Sequence, residues 1–402
     1  MKKLSFLKIA LYSGVTVVSG LLRFKVIVDL GAPELLGLVA TALSLSTLLA
    51  TSSFGNLWSV AFLHGQGIYK EVISAVLFRP LMKICKQFSI FGIPVLCVST
   101  LFFADSFLID SFLVMSMVTS QVAVFSTVAY LRGLNLELFL SRVTMINNLL
   151  TTLTVFLAPA TSWGHIILVS ALFNFLQWGI VVFSYRKAIT IRDAIKYSSE
   201  YEQMELQAKQ SALAPIAPIF FDVYWRVLLV LGSSWTDIGL IQPAIQFLLV
   251  IEPMLIHLAL ALGGKPIRDG LLTGKVRGKL YLHYVILIAG PFAVSSLIAL
   301  SSSYYLTFFF GNEFIKYESY FQIVLFTSIL RFALYTINLV YQRDLLALET
   351  KRVMLVSLVL RITTVTIFLY SFGVIGVPLA IALESVLTFA VALLRIRKVT
   401  QK

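Results

Sequence analysis

Charge is scarce in this sequence. Only 13% of its 402 residues are Asp, Glu, Lys or Arg, against roughly 25% in a soluble domain. A soluble enzyme, a coiled coil and a disordered tail are all excluded as descriptions of the whole chain. Cysteine is nearly absent. Cys85 and Cys97 fit neither a disulfide framework nor a metal-binding spacing, and both are expected as buried small hydrophobes. The four histidines, His64, His165, His257 and His283, are too far apart in sequence to suggest a metal site. No catalytic triad or paired-carboxylate site occurs in the polar segments. Gly270-Leu271-Leu272-Thr273-Gly274-Lys275-Val276 misses a phosphate loop twice: a P-loop needs four residues between its glycines and Ser or Thr after its lysine. With no nucleotide-binding domain, an ATP-driven pump is excluded, and no cofactor is expected.

What the chain has is apolar length. Hydrophobic residues make up 59% and mean hydropathy is +0.92, so the solvent for most of it is lipid. A membrane-crossing helix takes about 20 apolar residues, and the chain holds enough for roughly twelve. The runs are unbroken rather than alternating, which argues against a β-barrel. The expected spans are about 9–30, 36–62, 87–104, 111–131, 143–160, 164–185, 212–231, 238–262, 281–301, 319–341, 353–372 and 374–394. The run behind Met1-Lys2-Lys3 continues through Arg23 and Lys25 to Leu30, so it is read as a retained helix, not a signal peptide. Val143 to Tyr185 contains no Lys, Arg, Asp or Glu. It breaks at Pro159-Ala160-Thr161-Ser162-Trp163-Gly164, giving a hairpin of two helices.

The formal net charge is +13. Of the 32 basic residues, 26 fall on the N-terminus, the even-numbered loops and the C-terminus. The odd-numbered loops carry Lys316 alone, beside Glu34, Asp105, Asp110, Asp237, Glu313 and Glu318. This positive-inside split puts both termini in the cytoplasm and requires an even number of spans. It also disposes of nucleic acid as a partner, because the basic residues are scattered topology determinants. The expected organisation is an all-α membrane protein of about twelve helices, with an N-terminal lobe over 1–196, a cytoplasmic linker over 197–211 and a C-terminal lobe over 212–402.

The two halves echo each other. Phe24-Lys25-Val26-Ile27-Val28-Asp29-Leu30-Gly31 aligns with Trp225-Arg226-Val227-Leu228-Leu229-Val230-Leu231-Gly232. A short acidic turn follows in each, Pro33-Glu34 or Thr236-Asp237, and then a glycine, Gly37 or Gly239, opens the next helix. Phe102-Phe103-Ala104-Asp105 resembles Phe309-Phe310-Gly311-Asn312 in the same way. Both members of each pair run in the same direction, so the lobes are expected to be related by a pseudo-twofold axis along the membrane normal.

Ser19 to Gly31, with Pro33 and Leu36-Gly37-Leu38 after it, resembles the first helix and turn of Wzx-type flippases, members of the MATE-like multidrug, oligosaccharidyl-lipid and polysaccharide exporter superfamily. Leu306-Thr307-Phe308-Phe309-Phe310-Gly311-Asn312-Glu313-Phe314 resembles that superfamily's LFG-x-x-F/Y turn. Trp235-Thr236-Asp237-Ile238-Gly239 resembles the turn into the eighth helix in the enterobacterial common antigen branch. Phe372-Gly373-Val374-Ile375-Gly376 followed by Arg395-Ile396-Arg397-Lys398 also fits. Gly31-Ala32-Pro33-Glu34 departs from the family's more regular G-P-x-G. The resemblance covers nearly the whole chain. It implies a bacterial inner-membrane flippase for an undecaprenyl-pyrophosphate-linked oligosaccharide of O-antigen or related surface glycan, working by alternating access. The implied partners are that lipid-linked glycan, the bilayer, and a polysaccharide polymerase with its chain-length regulator.

Five basic residues, Arg23, Lys25, Arg226, Arg331 and Arg361, and four acids, Asp29, Asp222, Glu252 and Glu384, lie inside the expected spans. A charge at a helix centre costs roughly 2.5–3.5 kcal/mol on the insertion scale, so each must be paired, hydrated or in contact with a polar cargo. Lys25 and Arg226 hold equivalent positions in the repeat and are the first candidates for a cationic, substrate-binding cleft. Lys and Arg are suitable donors to a pyrophosphate. The competing and compatible reading is local pairing, since Lys25 and Asp29, like Asp222 and Arg226, are four apart on one helix face. Arg23 lies about 200° around the helix from Lys25 and either snorkels or joins the cleft. Arg331 has no acid within one turn and is a further cavity candidate. Glu252, before Pro253, reads either as a protonatable coupling residue or as a partner for an arginine. Arg361 and Glu384 flank Gly373 at matching distances and are expected to form a structural ion pair. A cation-coupled drug exporter would want an acidic cavity, which five bases against four acids do not favour. A polymerase or glycosyltransferase would want a larger outer domain than the loop at about 302–318.

The charge map yields a topology prediction. In a Cys-free background, single cysteines at Gln207 and Lys275 should label from the cytoplasm, and those at Glu34 and Glu313 from the periplasm. Cytoplasm-only labelling at position 313 would overturn the map.

Overall fold

A computed structural model describes residues 2–55, 57, 60, 75–86, 107–134, 136–157, 162–186, 199–210, 212–232, 235–243, 245, 293, 296–327 and 347–400. The named elements are α1 (Lys2–Phe54), α2 (Ala75–Lys86), α3 (Phe107–Gly133), α4 (Glu137–Leu157), α5 (Trp163–Ser184), α6 (Ser199–Gln210), α7 (Leu213–Gly232), α8 (Ser302–Phe310), α9 (Ala347–Phe372) and α10 (Gly376–Thr400). Residues 235–243 and 318–327 are helical as well. Five stretches among the described residues are long and apolar enough to cross a membrane: Leu7–Leu30, Pro33–Ser53, Ile109–Gly133, Trp163–Ser184 and Leu358–Leu387. Of the expected spans, 87–104 lies outside the described residues, and those at 238–262, 281–301 and 319–341 lie largely outside them.

By compactness the chain forms two units, Met1–Gly37 with Leu231–Lys402, and Leu38–Val230. This is a different partition from the lobes 1–196 and 212–402, which follow topology and stay a proposal.

Three local features differ from the sequence expectation. The turn at Pro33-Glu34 is not a loop: α1 runs through it with Pro33 inside. Proline removes one ladder hydrogen bond, and the helix absorbs the loss. The stretch expected as a loop at about 302–318 is not one: after a turn at Ser301 the aromatic-rich Ser302 to Phe310 form α8, which ends at Gly311, whose N–H reaches the Leu306 and Thr307 carbonyls. Cys85 is exposed near the end of α2, not buried, because Ala75, Val76, Leu77 and Ile84 occupy that helix's inner face. Cys97 is outside the described residues.

In the unit Leu38–Val230, α3, α4 and α5 pack together. Leu77, Tyr130, Leu131, Leu140, Val143 and Val181 form a core that joins α2 to them. The polar linker turns out to contain α6. Its Tyr201, Met204 and Ala208 are buried, a spacing that gives a polar segment one apolar stripe. Arg79 of α2 lies over the Tyr201 ring at 4.7 Å. Glu205 accepts from Lys83 at 2.5 Å and pairs with Lys209 at 3.1 Å. Burial alone would raise the Glu205 carboxyl, but hydrogen bonds from the two lysines outweigh it and hold the group below its ordinary value. That contribution is present at neutral pH and is lost on acidification through the lowered value. It is worth on the order of 1 kcal/mol for a partly exposed pair.

In the other unit, α9 and α10 form a hairpin turned at Gly373, whose φ of +64° suits only glycine well. A second close approach joins α1 to residues 235–243. A Cβ on Gly239 would overlap the Pro33 carbonyl, and one on Gly37 would overlap the Trp235 carbonyl and lie 3.2 Å from the Gly239 nitrogen. The contact is reciprocal: Pro33 and Trp235, like Gly37 and Gly239, are 202 positions apart. A contact in which i meets j′ and i′ meets j is locally two-fold, and it joins the segments that echo each other in sequence. Small residues are what let helix backbones meet in a membrane. Gly239→Ala should therefore sharply lower folded yield and melting temperature. Gly14→Ala, where a Cβ meets nothing within 4 Å, should not. Fluorescence-detected size exclusion with thermal melts checks both, and equal behaviour of the two variants would contradict the close packing.

Candidate functional site

Lys25 sits on α1 in the unit that holds Met1–Gly37 and Leu231–Lys402. Its Nζ lies 3.2 Å from Asp29 Oδ2, one turn on, with side-chain exposures of 35% and 59%. The same Nζ lies 5.9 Å from the centre of the Phe308 ring of α8, within range of a cation–π contact. Phe308 is exposed. Arg23 is half-buried and lies 5.9 Å over the Phe24 ring, consistent with its different helix face.

Arg226 belongs to the other unit and is fully buried. Its Nη1 is 3.1 Å from Asp222 Oδ2 and 2.5 Å from the Asp222 carbonyl oxygen. The guanidinium lies 4.4 Å over the Trp225 ring. Asp222 also accepts from Trp225 Nε1 at 3.3 Å and from Ser44 Oγ at 3.4 Å. The charge is thus compensated where it sits. Lys25 and Arg226 share a pattern in sequence, but their environments are opposite: one accessible with an exposed partner, one enclosed.

Arg361 and Glu384 are brought together across the α9–α10 hairpin, Nε to Oε1 at 2.5 Å, both buried. Arg331 and Glu252 lie outside the described residues. His165 accepts or donates at Ser162 Oγ, 2.9 Å away, at the start of α5. Among the described residues no group of three or more His, Cys, Asp or Glu could hold a metal ion.

Sequence reasoning missed Ser44 as a partner of Asp222 and Phe308 as a neighbour of Lys25. Neither has a local signal, since the pairs are far apart in the chain. It also passed over Asn147, Asn174 and Gln177, whose signal was available: three amides inside apolar helices.

Neither a protein-family model nor a curated protein matches this sequence. Solved structures do match the fold. A eukaryotic MATE transporter is 15% identical with a TM-score of 0.68, covering 98% of this chain and 95% of that one. A Vibrio cholerae MATE transporter is 10% identical with a TM-score of 0.68, covering 99% and 96%. A MOP-superfamily transporter from Pyrococcus furiosus, described as having a binding pocket of reversed polarity that suggests a different function, is 14% identical with a TM-score of 0.58, covering 100% and 97%. At these identities the likeness is one of fold. The chain has the fold of MATE transporters, and its apolar helices make it a multi-pass membrane protein.

The geometry separates structural from accessible charges. Breaking a buried ion pair by removing one partner costs about 3–5 kcal/mol, so Arg361→Ala and Glu384→Ala should each lower protein level and melting temperature. The double change to Met should recover much of the loss. Lys25→Ala should leave both measures near wild type. An Arg361→Ala protein that melts like wild type would remove the structural role.

Proposed function

We propose that this protein is a flippase that carries an undecaprenyl-pyrophosphate-linked oligosaccharide from the cytoplasmic to the periplasmic leaflet of a bacterial inner membrane. It does so by alternating access, supplying surface-polysaccharide synthesis such as that of O-antigen and lipopolysaccharide. It catalyses no reaction and works beside a polymerase and a chain-length regulator. The observation that carries this reading is Lys25. It is an intramembrane cation whose counter-ion, Asp29, is itself accessible. Its amine can turn to a phosphate without stranding a carboxylate in apolar surroundings. Arg23 and Arg331 are the further cations proposed to meet the pyrophosphate. Arg226, clasped by Asp222, contributes positive potential at the equivalent position of the repeat and would meet the cargo directly only on exchanging that carboxylate. Asp29, Asp222 and Glu252 are the candidate coupling groups.

The alternative is a cation-coupled multidrug exporter. It is favoured by the matching fold of a MATE-family transporter described as conferring multidrug resistance. The preponderance of intramembrane cations argues against a cationic cargo, and a reversed pocket polarity on the same fold in the Pyrococcus furiosus protein fits the view that cargo follows charge here.

Deletion should accumulate the lipid-linked precursor and deplete mature glycan, because the uncatalysed passage of a pyrophosphate must desolvate its charge. Complementation with Lys25→Ala should fail at normal protein level, and Lys25→Arg should restore more. Direct efflux of a cationic dye by cells overexpressing the protein, with normal precursor turnover in the deletion, would establish the exporter instead.

A further inference from the structure

The helix α6 lies in the polar segment read from the sequence as a linker between two lobes, and the cationic cleft does not account for it. It is 12 residues long, and an isolated helix shorter than about 12–15 residues is marginal in water. Its order therefore depends on what it docks against. Its buried stripe of Tyr201, Met204 and Ala208 is held at two places, both within the unit Leu38–Val230. At α2, Arg79 covers the Tyr201 ring and Lys83 meets Glu205. Just past α1, Gly55 has a φ of +65°, and a Cβ there would come within 3.0 Å of the Ala208 carbonyl oxygen.

Charge favours this docking. α2 carries Arg79, Lys83 and Lys86 and no acid, whereas α6 carries Glu200, Glu202 and Glu205 against Lys209. The polar part of the attachment is nevertheless light. Lys83 and Glu205 are partly open to solvent, with side-chain exposures of 33% and 27%, and Lys209 shares the same carboxylate oxygen. A pair of this kind is weak and is screened by salt.

What α6 holds is α7. Two residues separate them, and the Ala212 N–H donates to the Lys209 carbonyl at 3.1 Å. Two residues reach about 7 Å when fully extended, so a docked α6 keeps the first turn of α7 within short reach of Gly55. Further along α7, Asp222 accepts from Ser44 of α1. α1 and α2 belong to the first expected lobe, and α7 opens the second. Rocking of one lobe against the other therefore pulls on α6.

We propose that α6 is a releasable strap: docked on α2 and Gly55, as here, it restrains the start of α7, and it lets go of α2 when the cytoplasmic side opens. This rests on the alternating-access part of the reading above and not on its cargo.

Two measurements test it. The first is hydrogen–deuterium exchange of the full-length protein in lipid nanodiscs. Raising salt to about 1 M, where the screening length falls to about 3 Å, should speed exchange of the α6 amides several-fold and leave those of α5 unchanged. Glu205→Gln should exchange fast at low salt and lose the salt response, and Lys83→Arg should keep it. Exchange of α6 that ignores salt in the wild-type protein would overturn the latch.

The second is transport in inverted membrane vesicles. With Cys85→Ser and Cys97→Ser as background, Lys83→Cys and Glu205→Cys are bridged by a reducible bis-thiosulfonate cross-linker. Bridging should stop transport at least tenfold, reductant should restore it, and Glu205→Cys alone should be insensitive to the reagent. The rate is read on the lipid-linked precursor, or on a cationic dye where that is what wild-type vesicles carry, so strap and cargo fail separately. A bridged protein that transports at the unbridged rate would show that α6 never needs to release, and the proposal would be wrong.

Discussion

A charge or an unmatched polar group in hydrocarbon costs several kcal/mol unless something answers it. That constraint organises everything polar inside this chain. The same sequence that is too apolar to be soluble retains nine ionisable residues within its expected spans. The described ion pairs are answered by three different devices. Arg361 and Glu384 neutralise each other across a tight hairpin. Arg226 is wrapped by the carboxylate, carbonyl and indole of its own helix. Lys25 keeps a partner one turn away that is itself accessible. Only the last arrangement can be exchanged for an anion at small cost, which is why the functional reading rests on it.

The devices also differ in what could be read before the structure. Pairs four apart, Lys25 with Asp29 and Asp222 with Arg226, follow from helical spacing alone. The Arg361–Glu384 contact follows from nearly equal distances to a turn glycine. These are local or nearly local facts, and sequence carries such facts well. Ser44 against Asp222 spans 178 positions, and Phe308 against Lys25 spans still more. No periodicity encodes a contact made only by tertiary packing. The continuous α1 was illegible for a different reason: proline weakens a helix but need not end it, and packing decides. The docked α6 lay between these cases. Its Tyr201, Met204 and Ala208 stripe was present in the linker, but its polar composition hid the period. Cys85 shows the limit of a compositional rule, since a residue type usually buried is exposed where its helix face points outward.

The repeat is an expectation from paired sequence patterns, and the glycine contact joins two of the segments that carry them. Gly37 and Gly239 are equivalent in the repeat and meet each other's neighbouring backbone. A duplicated pattern would also arise by chance among apolar helices, which resemble one another in composition. Chance resemblance does not arrange for the two copies to touch reciprocally through equivalent residues. The pairing at 202 positions, one more than the 201 that separate Lys25 from Arg226, makes this a local two-fold contact between the segments that carry the expected repeat.

A fold shared with MATE transporters fixes how helices are arranged but leaves open what is carried, because cargo is selected by the groups that face it. Charge sign is the most discriminating of these groups in a low-dielectric setting, where repulsion between like charges is strong. Under the proposed reading, the excess of basic over acidic residues within the expected spans, five to four, is what disfavours a lipophilic cation and favours an anion with a hydrated head.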